Sequence, residues 1–488
     1  MDLSTLQQLL SRLAGGRVLA VGDLMVDRFV HGEVARVSAE APIPVLTRGR
    51  ESVMLGAAGN VARNVAALGG SAALIGVVGD DAAAHEAMTL VGAEQAIEGF
   101  LVTDASRPTT LKTRYLSAGQ QLLRVDLESV EPVSGEIEAR LTRTVADAAA
   151  GAGAILLSDY GKGVVTPAMI TACLGAAKAE GAVLIVDSKA RGFARYGAVD
   201  MIKPNAAELA FATDMATDSD GEIEAALASA LALSRCAAIL VTRAVKGMSL
   251  AVRGKSVRHF RRPPPEVFDT AGAGDTVLAA VGLALAAKAP IEQAVELALI
   301  ASSVAIEKAG TATVTPDELM EAELSAHREP FEAKIATPRR MIREVERWRE
   351  RGFKIGFTNG CFDIIHPGHI ACLAKARTWC DRLIVAINSD GSARALKGQG
   401  RPVNSLEGRA MVLAGLAFVD LVVSFDEETP HALIEAARPD VLIKGGDYSL
   451  DTVVGREIVA GYGGEVRLAP FVQGHSTTET LRRASGVA

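Results

Sequence analysis

The chain has 488 residues, of which 49% are hydrophobic and 22% charged, and its formal net charge is −7. This length predicts two or three domains, and the composition is that of a globular protein. The acidic balance argues against nucleic acid or an anionic membrane as a partner, because both attract basic surfaces. The five cysteines form no CxxC pair, so the sequence indicates neither a zinc site nor a disulfide framework.

The sequence also argues against export and membrane insertion. The N-terminal segment lacks a basic region followed by an apolar core, so we expect no secretory signal. The most apolar helical stretch, 276–287, is too short to span a bilayer. We therefore expect a cytoplasmic protein with no membrane partner.

Short runs rich in Val, Ile and Leu alternate with Ala-rich helical windows over the first half of the chain. The runs lie at 17–22, 72–80, 153–160, 182–189, 199–205 and 237–243. This alternation is typical of βαβ units around a parallel sheet buried on both faces. Several runs end in Asp, Asn or Thr, and such sheets bind ligands at the carboxyl ends of their strands. We predict one large α/β domain over 1–328.

One segment of this domain has a different pattern. Residues 27–54 alternate polar and apolar side chains and include Pro42 and Pro44. Internal strands exclude proline, so we predict a small antiparallel β flap outside the main sheet.

The pattern changes again after this domain. Residues 329–352 are charged and helix-forming, with few long apolar runs, and we expect a linker helix region. A second α/β cycle occupies 353–488, with apolar runs at 354–363, 382–390, 420–425, 440–448 and 465–470. These runs predict a smaller doubly wound domain.

The strongest motif is DTAGAGDT at 269–276, which is followed directly by an apolar helix. Small residues at Gly272, Ala273 and Gly274 let backbone N–H groups converge at a helix N-terminus, which is a favourable site for a phosphoryl group. Asp275 is then placed to accept a proton from an attacking sugar hydroxyl. The alternative is a glycine-rich turn with an Asp cap.

With this motif, the chain up to about residue 320 resembles the ribokinase-type carbohydrate kinases. Three further stretches carry the resemblance: GAAGNVARNVAALG at 56–69, KPNAAE at 203–208 and VTRAVKGM at 241–248. The resemblance implies sugar contacts from Asp23, Asp27, Gly56 and Asn60. It implies ATP contacts from Asn205, Glu208, Thr242, Arg243 and Gly247, with Asn205 and Glu208 ordering Mg²⁺ indirectly. It also implies a homodimer formed through the flap. A lone NxxE, however, is more often an ordinary helix start.

Three basic residues suggest that the sugar already carries a phosphate. Lys112, Arg114 and Arg124 lie on predicted strands near the sugar pocket. Cations clustered at a cleft of an acidic protein suit a phosphorylated substrate. Solvated strand charges are the alternative for each of them.

The second domain opens with NGCFDIIHPGHI at 359–370, between a strand and a helix. The spacing of His366 and His369 places both imidazoles on one side of a helix start, aimed at a phosphate chain. Metal ligation is an alternative, but no third ligand sits at a recognisable spacing.

This pattern resembles the cytidylyltransferase-like nucleotidyltransferases. In that family the substrate's own phosphate attacks, so catalysis rests on positioning and charge stabilisation, here by His366 and His369. The resemblance implies nucleotide contacts from Asn388, Asp390, Lys397, Lys444, Ser476, Thr477 and Thr478. Arg482 lies one place later than the basic residue of the usual second signature, which leaves its role open.

The order of the two halves resembles the bifunctional heptose 7-phosphate kinase and heptose 1-phosphate adenylyltransferase family of Gram-negative bacteria. The resemblance implies sugar phosphates and ATP as substrates, Mg²⁺ as cofactor, and a product used for the lipopolysaccharide core. Two alternatives are a different kinase–transferase fusion and a regulatory binding protein with a decayed kinase domain.

Overall fold

A computed structural model describes residues 1–118, 120–263, 269–326, 331–445 and 453–469. The chain divides into two compact units, Met1–Ala326 and His327–Ala488. Among the residues described, no helix has both the length and the apolar character needed to cross a membrane.

The first unit alternates strands and helices, as the sequence predicts. Its strands are β1 (Arg17–Gly22), β2 (Leu24–Val37), β3 (Pro44–Ala57), β4 (Ser71–Val78), β5 (Ile97–Thr103), β6 (Thr110–Ser117), β7 (Gln120–Leu127), β8 (Ala154–Asp159), β9 (Val183–Ser188), β10 (Met201–Ile202), β11 (Ala238–Thr242), β12 (Met248–Val252) and β13 (Arg258–Phe260). Its helices are α1 (Leu3–Leu13), α2 (Ala58–Ala67), α3 (Ala82–Gly92), α4 (Gly135–Ala148), α5 (Pro167–Glu180), α6 (Ala206–Thr213), α7 (Asp220–Leu233), α8 (Ala273–Ala286), α9 (Ile291–Ala305) and α10 (Pro316–Ala326).

Nine of these strands form the main sheet, in the order β13-β12-β11-β10-β9-β8-β1-β4-β5. The strands from β5 to β11 are parallel, and β12 and β13 are antiparallel at one edge. Residues 18–21 of β1 are fully buried, because helices cover both faces of the sheet. The carboxyl ends of β1, β8 and β9 therefore meet at one edge of the sheet.

Helix α8 lies in the core of this unit, with residues 277–284 almost fully buried. Its small residues permit this close packing: a Cβ at Gly282 would stand 2.5 Å from the Leu156 side chain on β8. Because the helix is held on all sides, its first turn is fixed relative to the sheet.

The predicted flap is confirmed. Strands β2 and β3 pair antiparallel, and Pro44 stands at the outer end of β3. Strands β6 and β7 complete a four-stranded sheet of order β3-β2-β6-β7. Every residue of β7 is exposed.

The described residues of the second unit form a six-stranded parallel sheet of order β14-β17-β16-β15-β18-β19. Its strands are β14 (Ile335–Ala336), β15 (Ile355–Gly360), β16 (Arg382–Asn388), β17 (Leu421–Phe425), β18 (Val441–Gly445) and β19 (Glu465–Ala469). Its helices are α11 (Pro338–Glu350), α12 (Pro367–Arg377), α13 (Asp390–Lys397), α14 (Leu406–Ala414), α15 (His431–Ala437) and α16 (Arg456–Gly461).

The segment expected to be a linker, 329–352, contributes to this second unit. Strand β14 pairs with β17. Helix α11 agrees with the helix expected here, but it buries Met341, Val345 and Trp348 in the core of the second unit, so the segment is part of that unit.

Candidate active sites

In the first unit, Asp275 lies in the first turn of α8, which begins after Gly272 at a φ of 75°. The side chain is 2% exposed. Its Oδ2 accepts a hydrogen bond of 3.0 Å from Asn60 Nδ2, and its Oδ1 accepts one of 2.8 Å from the Tyr160 hydroxyl. The carboxylate is therefore fixed at a helix N-terminus, where backbone N–H groups favour an anion.

The surroundings of Asp275 change the pKa of its carboxyl group. Burial raises the pKa of its carboxyl to about 6, and the nearby Asp187 carboxylate also raises it. The hydrogen bonds from Asn60 and Tyr160 act in the opposite direction. A carboxyl with a pKa near 6 is ionised at neutral pH and still accepts a proton readily.

Two glycines of the predicted motifs make room for this arrangement. A Cβ at Gly272 would stand 2.6 Å from Asn60 Nδ2, and one at Gly56 would stand 2.3 Å from Asp27 Oδ2. Both positions therefore require glycine for the polar side chains to reach their places.

A buried polar chain supports Asn60. The Asn64 amide donates to Asn60 Oδ1 at 3.2 Å and to the Asn60 carbonyl at 3.0 Å. The Thr276 hydroxyl in turn donates to Asn64 Oδ1 at 3.3 Å. Thr276 follows Asp275 in α8. The hydrogen bonds therefore link Asp275 through Asn60 and Asn64 to its own neighbour in the helix.

A buried ion pair lies beside the helix start. Lys203 Nζ is 3.1 Å from Asp187 Oδ2, and both side chains are at most 3% exposed. Neither Asp187 oxygen has the geometry of a hydrogen bond with any described residue. A Cβ at Gly274 would stand 3.5 Å from Lys203 Nζ, so this cation borders the DTAGAGDT turn.

The predicted sugar-side cations lie on the flap strand β6 and its neighbour. Arg114 forms an ion pair with the buried Asp27. Lys112 Nζ lies 5.9 Å from the centre of the Tyr160 ring, and burial lowers the pKa of this amine. Arg124 is different: its side chain is about half exposed and pairs with Asp126 on the same strand at 3.0 Å.

Asp23 holds a loop of the protein itself. Its carboxylate accepts hydrogen bonds from the backbone N–H groups of Tyr160, Lys162 and Val164 at 2.7, 3.0 and 3.2 Å. The side chain is 1% exposed, and burial raises its pKa to about 6. Asp23 therefore anchors the loop after β8, and its sugar contact stays a prediction.

The NxxE residues form a capping box at the start of α6. Asn205 Oδ1 accepts the Glu208 N–H at 2.8 Å, and Glu208 Oε2 accepts the Asn205 N–H at 2.7 Å. The second Glu208 oxygen pairs with Lys189. This capping box agrees with the interpretation of the motif as a helix start. The motif also lies near the DTAGAGDT turn, because Lys189, the partner of Glu208, lies near Asp275.

The VTRAVKGM turn follows β11. The Thr242 N–H donates to the Pro204 carbonyl at 3.1 Å, which joins this turn to the NxxE loop. The Arg243 guanidinium is directed to Asp220 at 2.7 Å and Ser249 at 3.3 Å. A side chain at Gly247, whose φ is 84°, would collide with the Phe260 carbonyl. Arg243 therefore stabilises this turn through its contacts with Asp220 and Ser249.

In the second unit, the HxGH histidines lie at the start of α12. His366 is the N-cap, and His369 is three residues into the helix. Their ring centres are 3.8 Å apart and the planes are inclined by 27°, so the imidazoles stack. Burial, together with the smaller effect of His366, lowers the pKa of His369 to about 4. His369 is therefore neutral at pH 7 and acts as a hydrogen-bonding group there.

Lys444 lies near the carboxyl end of β18, next to the Asn359–Gly360 end of the neighbouring strand β15. Its ammonium donates to Asn359 Oδ1 at 2.9 Å and to the Asn359 carbonyl at 3.1 Å. Burial lowers the pKa of Lys444 to about 8. The predicted phosphate cation is thus at the same sheet edge as the HxGH loop, which follows β15.

The buried Arg409 forms hydrogen bonds with Asn388 and Asp390, the two predicted nucleoside contacts. Arg409 is 1% exposed and donates to the Asn388 carbonyl at 2.8 Å and to Asp390 Oδ1 at 2.7 Å. The Asn388 amide bonds to Ser392 at 2.9 Å. Lys397 is exposed at the end of α13. Ser476, Thr477, Thr478 and Arg482 lie outside the described residues.

Comparison with known proteins identifies both domains. Residues 17–318 match the model of the pfkB family carbohydrate kinases. Residues 357–483 match the cytidylyltransferase-like model. The protein named bifunctional protein HldE from Caulobacter vibrioides is 50% identical over 471 residues, which are 96% of this chain and 97% of that protein. The HldE protein of Hyphomonas neptunium is 48% identical, with 99% of both chains covered.

This chain belongs to the HldE family. The chain joins a pfkB-family kinase domain and a cytidylyltransferase-like domain in one polypeptide, so it is a bifunctional enzyme with a sugar kinase and a nucleotidyltransferase. The first unit also resembles phosphofructokinase-2 from Escherichia coli in its complex with fructose-6-phosphate. That likeness has a TM-score of 0.53 at 20% identity and covers 64% of this chain and 99% of that one. It confirms the predicted ribokinase-like fold.

Several residues at the two sites were not singled out from the sequence of this HldE-family member. They are Asn64, Tyr160, Asp187, Lys189, Lys203 and Arg409. The available signal was position, because Asp187 and Tyr160 lie at or just after the carboxyl ends of β9 and β8. Lys203 stands inside the KPNAAE motif itself. Arg409 carries no such signal, since an arginine in a helix usually lies at the surface.

Proposed function

We propose that the chain carries out two steps of ADP-heptose synthesis for the lipopolysaccharide core. The first unit transfers the γ-phosphoryl group of ATP to the anomeric hydroxyl of D-glycero-β-D-manno-heptose 7-phosphate. The second unit couples D-glycero-β-D-manno-heptose 1-phosphate with ATP and releases pyrophosphate. The observation that carries the proposal is the match to HldE proteins over nearly the whole chain, across both units. A separate phosphatase must remove the 7-phosphate between the two steps.

In the kinase reaction, Asp275 acts as the general base. The anomeric O–H gives its proton to the carboxylate while its oxygen attacks the γ-phosphorus, and ADP leaves. Asn60 fixes the carboxylate through Oδ2. The first-turn N–H groups of α8 and the Lys203 ammonium stabilise charge on the transferring group.

The substrate's existing phosphate is bound from the flap side. We assign this role to Lys112 and Arg114, which the structure holds near Tyr160 and Asp27. Arg124 completes the set when substrate draws it from its exposed pair with Asp126. Arginine and lysine at a cleft favour a dianionic phosphate over a neutral hydroxymethyl group.

Mg²⁺ is the metal that we propose for the kinase unit. The Asp187 carboxylate fits a divalent cation, because its buried oxygens accept no hydrogen bond from any described residue, although Oδ2 also lies 3.1 Å from Lys203 Nζ. Glu208 is the second oxygen donor at this edge, and Asn205 fixes it through the capping box. No group of three such side chains is preassembled among the described residues, so water and phosphate oxygens would complete the shell. When bound, the ion neutralises charge on the ATP phosphates.

In the transferase reaction, the sugar phosphate attacks the α-phosphorus of ATP directly. His366 and His369 donate hydrogen bonds to the α-phosphate oxygens, and the N-terminus of α12 adds its dipole. Lys444 and Lys397 bind the phosphate chain. Asn388, Asp390 and the segment with Ser476, Thr477 and Thr478 complete the nucleotide site in this proposal.

We also propose that the enzyme is a cytoplasmic homodimer paired through its flaps. Leu123, Val125 and Leu127 alternate along β7, so they share one face, and each is about half exposed. An exposed apolar strand face of this kind suits a partner surface. Sedimentation of wild type and Val125→Asp tests this: the variant should be monomeric, and an unchanged dimer would remove the flap as the interface.

A substrate panel tests the kinase proposal. ADP formation should be rapid with heptose 7-phosphate and at least about 100-fold slower with unphosphorylated heptose or ribose, because Lys112 and Arg114 would then lack the phosphate that they bind. Faster turnover of any of the other sugars would replace the assigned substrate.

A further inference from the structure

Tyr160 contacts the proposed base from the side opposite Asn60. Its hydroxyl is 2.8 Å from Asp275 Oδ1, whereas Asn60 donates to Oδ2. Each carboxylate oxygen therefore has one fixed donor and keeps lone-pair capacity for one more. With both oxygens held, the carboxylate plane cannot rotate, and the free lone pairs have one fixed direction.

The backbone of Tyr160 is itself anchored. Its N–H donates to Asp23 Oδ2 at 2.7 Å, and the same carboxylate binds two further N–H groups of the loop. Tyr160 directly follows Asp159, the last residue of β8. The buried Asp23 therefore controls, through the loop, where the Tyr160 hydroxyl lies relative to α8.

Two amines lie over the Tyr160 ring. Lys112 Nζ is 5.9 Å from the ring centre and Lys189 Nζ is 5.0 Å from it. Lys112 comes from flap strand β6, and Lys189 is paired with Glu208 of the NxxE motif. One aromatic ring thus touches the proposed sugar side and the proposed nucleotide side of the site, as a cation–π partner of both.

We propose that Tyr160 is a positioning residue of the kinase, which orients Asp275 in its carboxylate form through the hydroxyl and positions Lys112 and Lys189 through the ring. This inference rests on the proposed kinase function. In this proposal the Tyr160 hydroxyl positions Asp275, and the Tyr160 ring positions Lys112 and Lys189. A tyrosine has both parts, whereas phenylalanine keeps only the ring.

The charges around the base agree with this role. Asp187 faces Asp275 and favours its neutral form, whereas Lys203 and Lys189 favour the carboxylate. Burial raises the pKa of Tyr160 well above its ordinary value, so the phenol remains a neutral donor at every working pH. Its hydrogen bond lowers the pKa of Asp275 against the effect of burial. Removing the hydroxyl should therefore raise the pKa of the base.

The test is the pH profile of kinase kcat in the full chain for Tyr160→Phe. We expect kcat at pH 7 to fall about 10- to 100-fold, with KM for ATP changed less than about threefold. The acidic limb of the profile should move up by roughly one pH unit. A profile that superimposes on that of wild type would overturn the proposal.

Tyr196→Phe is the matched control. The Tyr196 hydroxyl donates to Asp159 Oδ2 at 2.6 Å and lies in the core of the same unit. Its loss should lower thermal stability and leave the acidic limb in place. If both variants move the limb equally, the effect belongs to stability and Tyr160 has no special role.

The wild-type substrate panel separates the two proposals. If wild type prefers another sugar, the heptose assignment fails, and the Tyr160→Phe profile measured on that sugar still decides the role of Tyr160. If wild type turns over heptose 7-phosphate and Tyr160→Phe matches it at every pH, the positioning role alone fails.

Discussion

Asn60 donates a hydrogen bond of 3.0 Å to Asp275 across a sequence separation of 215 residues. It joins the first glycine motif, on α2, to the DTAGAGDT motif, on α8. Both side chains are at most 2% exposed, so the contact is shielded from water. The sugar-side and phosphate-side motifs thus form one buried polar centre, and its properties lead to specific predictions.

Asp275→Asn should abolish kinase activity and stabilise the first unit. Burial raises the pKa of this carboxyl to about 6, so the folded state loses stability as pH rises from the unfolded pKa to 6. Above pH 6 the neutral amide avoids this cost, which is about 1–3 kcal/mol. We expect a higher melting temperature at pH 7 and a kcat at least about 1000-fold lower. Equal melting temperatures at pH 7 would contradict the electrostatic argument.

Asp23→Asn should have the opposite effect on stability. Burial raises the pKa of Asp23 to about 6 as well, but its donors are backbone N–H groups, which cannot turn to accept a hydrogen bond, as the Tyr160 hydroxyl beside Asp275 can. An asparagine keeps one acceptor and presents an NH₂ group to the remaining donors. The loss of stability should be about 2–4 kcal/mol. Urea unfolding of Asp275→Asn and Asp23→Asn side by side measures both free energies of unfolding. A change in the same direction in both variants would contradict the predicted difference.

Gly272→Ala should reduce kinase kcat by about 10- to 100-fold, because its Cβ would stand 2.6 Å from Asn60 Nδ2 and displace the donor from Asp275. The control is Gly254→Ala. Gly254 has a comparable φ of 80° and no heavy atom within 4 Å of the added Cβ. Both variants should lose about 1 kcal/mol from backbone strain. A similar loss of kcat in Gly254→Ala would remove the steric explanation.

The transferase should bind ATP less tightly at alkaline pH. Burial lowers the pKa of Lys444 to about 8, so the free enzyme loses this cation as pH rises through 8. We expect KM for ATP in the transferase reaction to increase about three- to tenfold between pH 7 and 9. Lys444→Arg should flatten this dependence, since an arginine stays charged. A flat wild-type profile would exclude Lys444 from phosphate binding.

The sequence predicted the elements that local patterns define. Apolar runs located the central strands, and the glycine turns placed Asp275 and His369 at helix starts. The expected linker shows where this approach failed. Helix α11 has no apolar run, but Met341, Val345 and Trp348 recur at positions i, i+4 and i+7 and bury one stripe of a charged helix.

Long-range side-chain partners could not be predicted from one sequence. Asp23 ends a strand like a ligand-binding carboxylate, yet backbone N–H groups from a loop about 140 residues away occupy it. Arg409 is buried because carbonyl groups of two other segments satisfy its guanidinium. Such partners depend on how the strands order in the sheet, and local patterns do not contain that order.

Pyrophosphate release tests the central claim most directly. Wild type, His369→Ala and Asp275→Asn would each be supplied with D-glycero-β-D-manno-heptose 1-phosphate and either ATP or CTP. We predict release with ATP by wild type and Asp275→Asn, a loss of at least about 100-fold in His369→Ala, and little release with CTP. No release with either nucleotide, or a preference for CTP, would contradict the assignment as a heptose 1-phosphate adenylyltransferase.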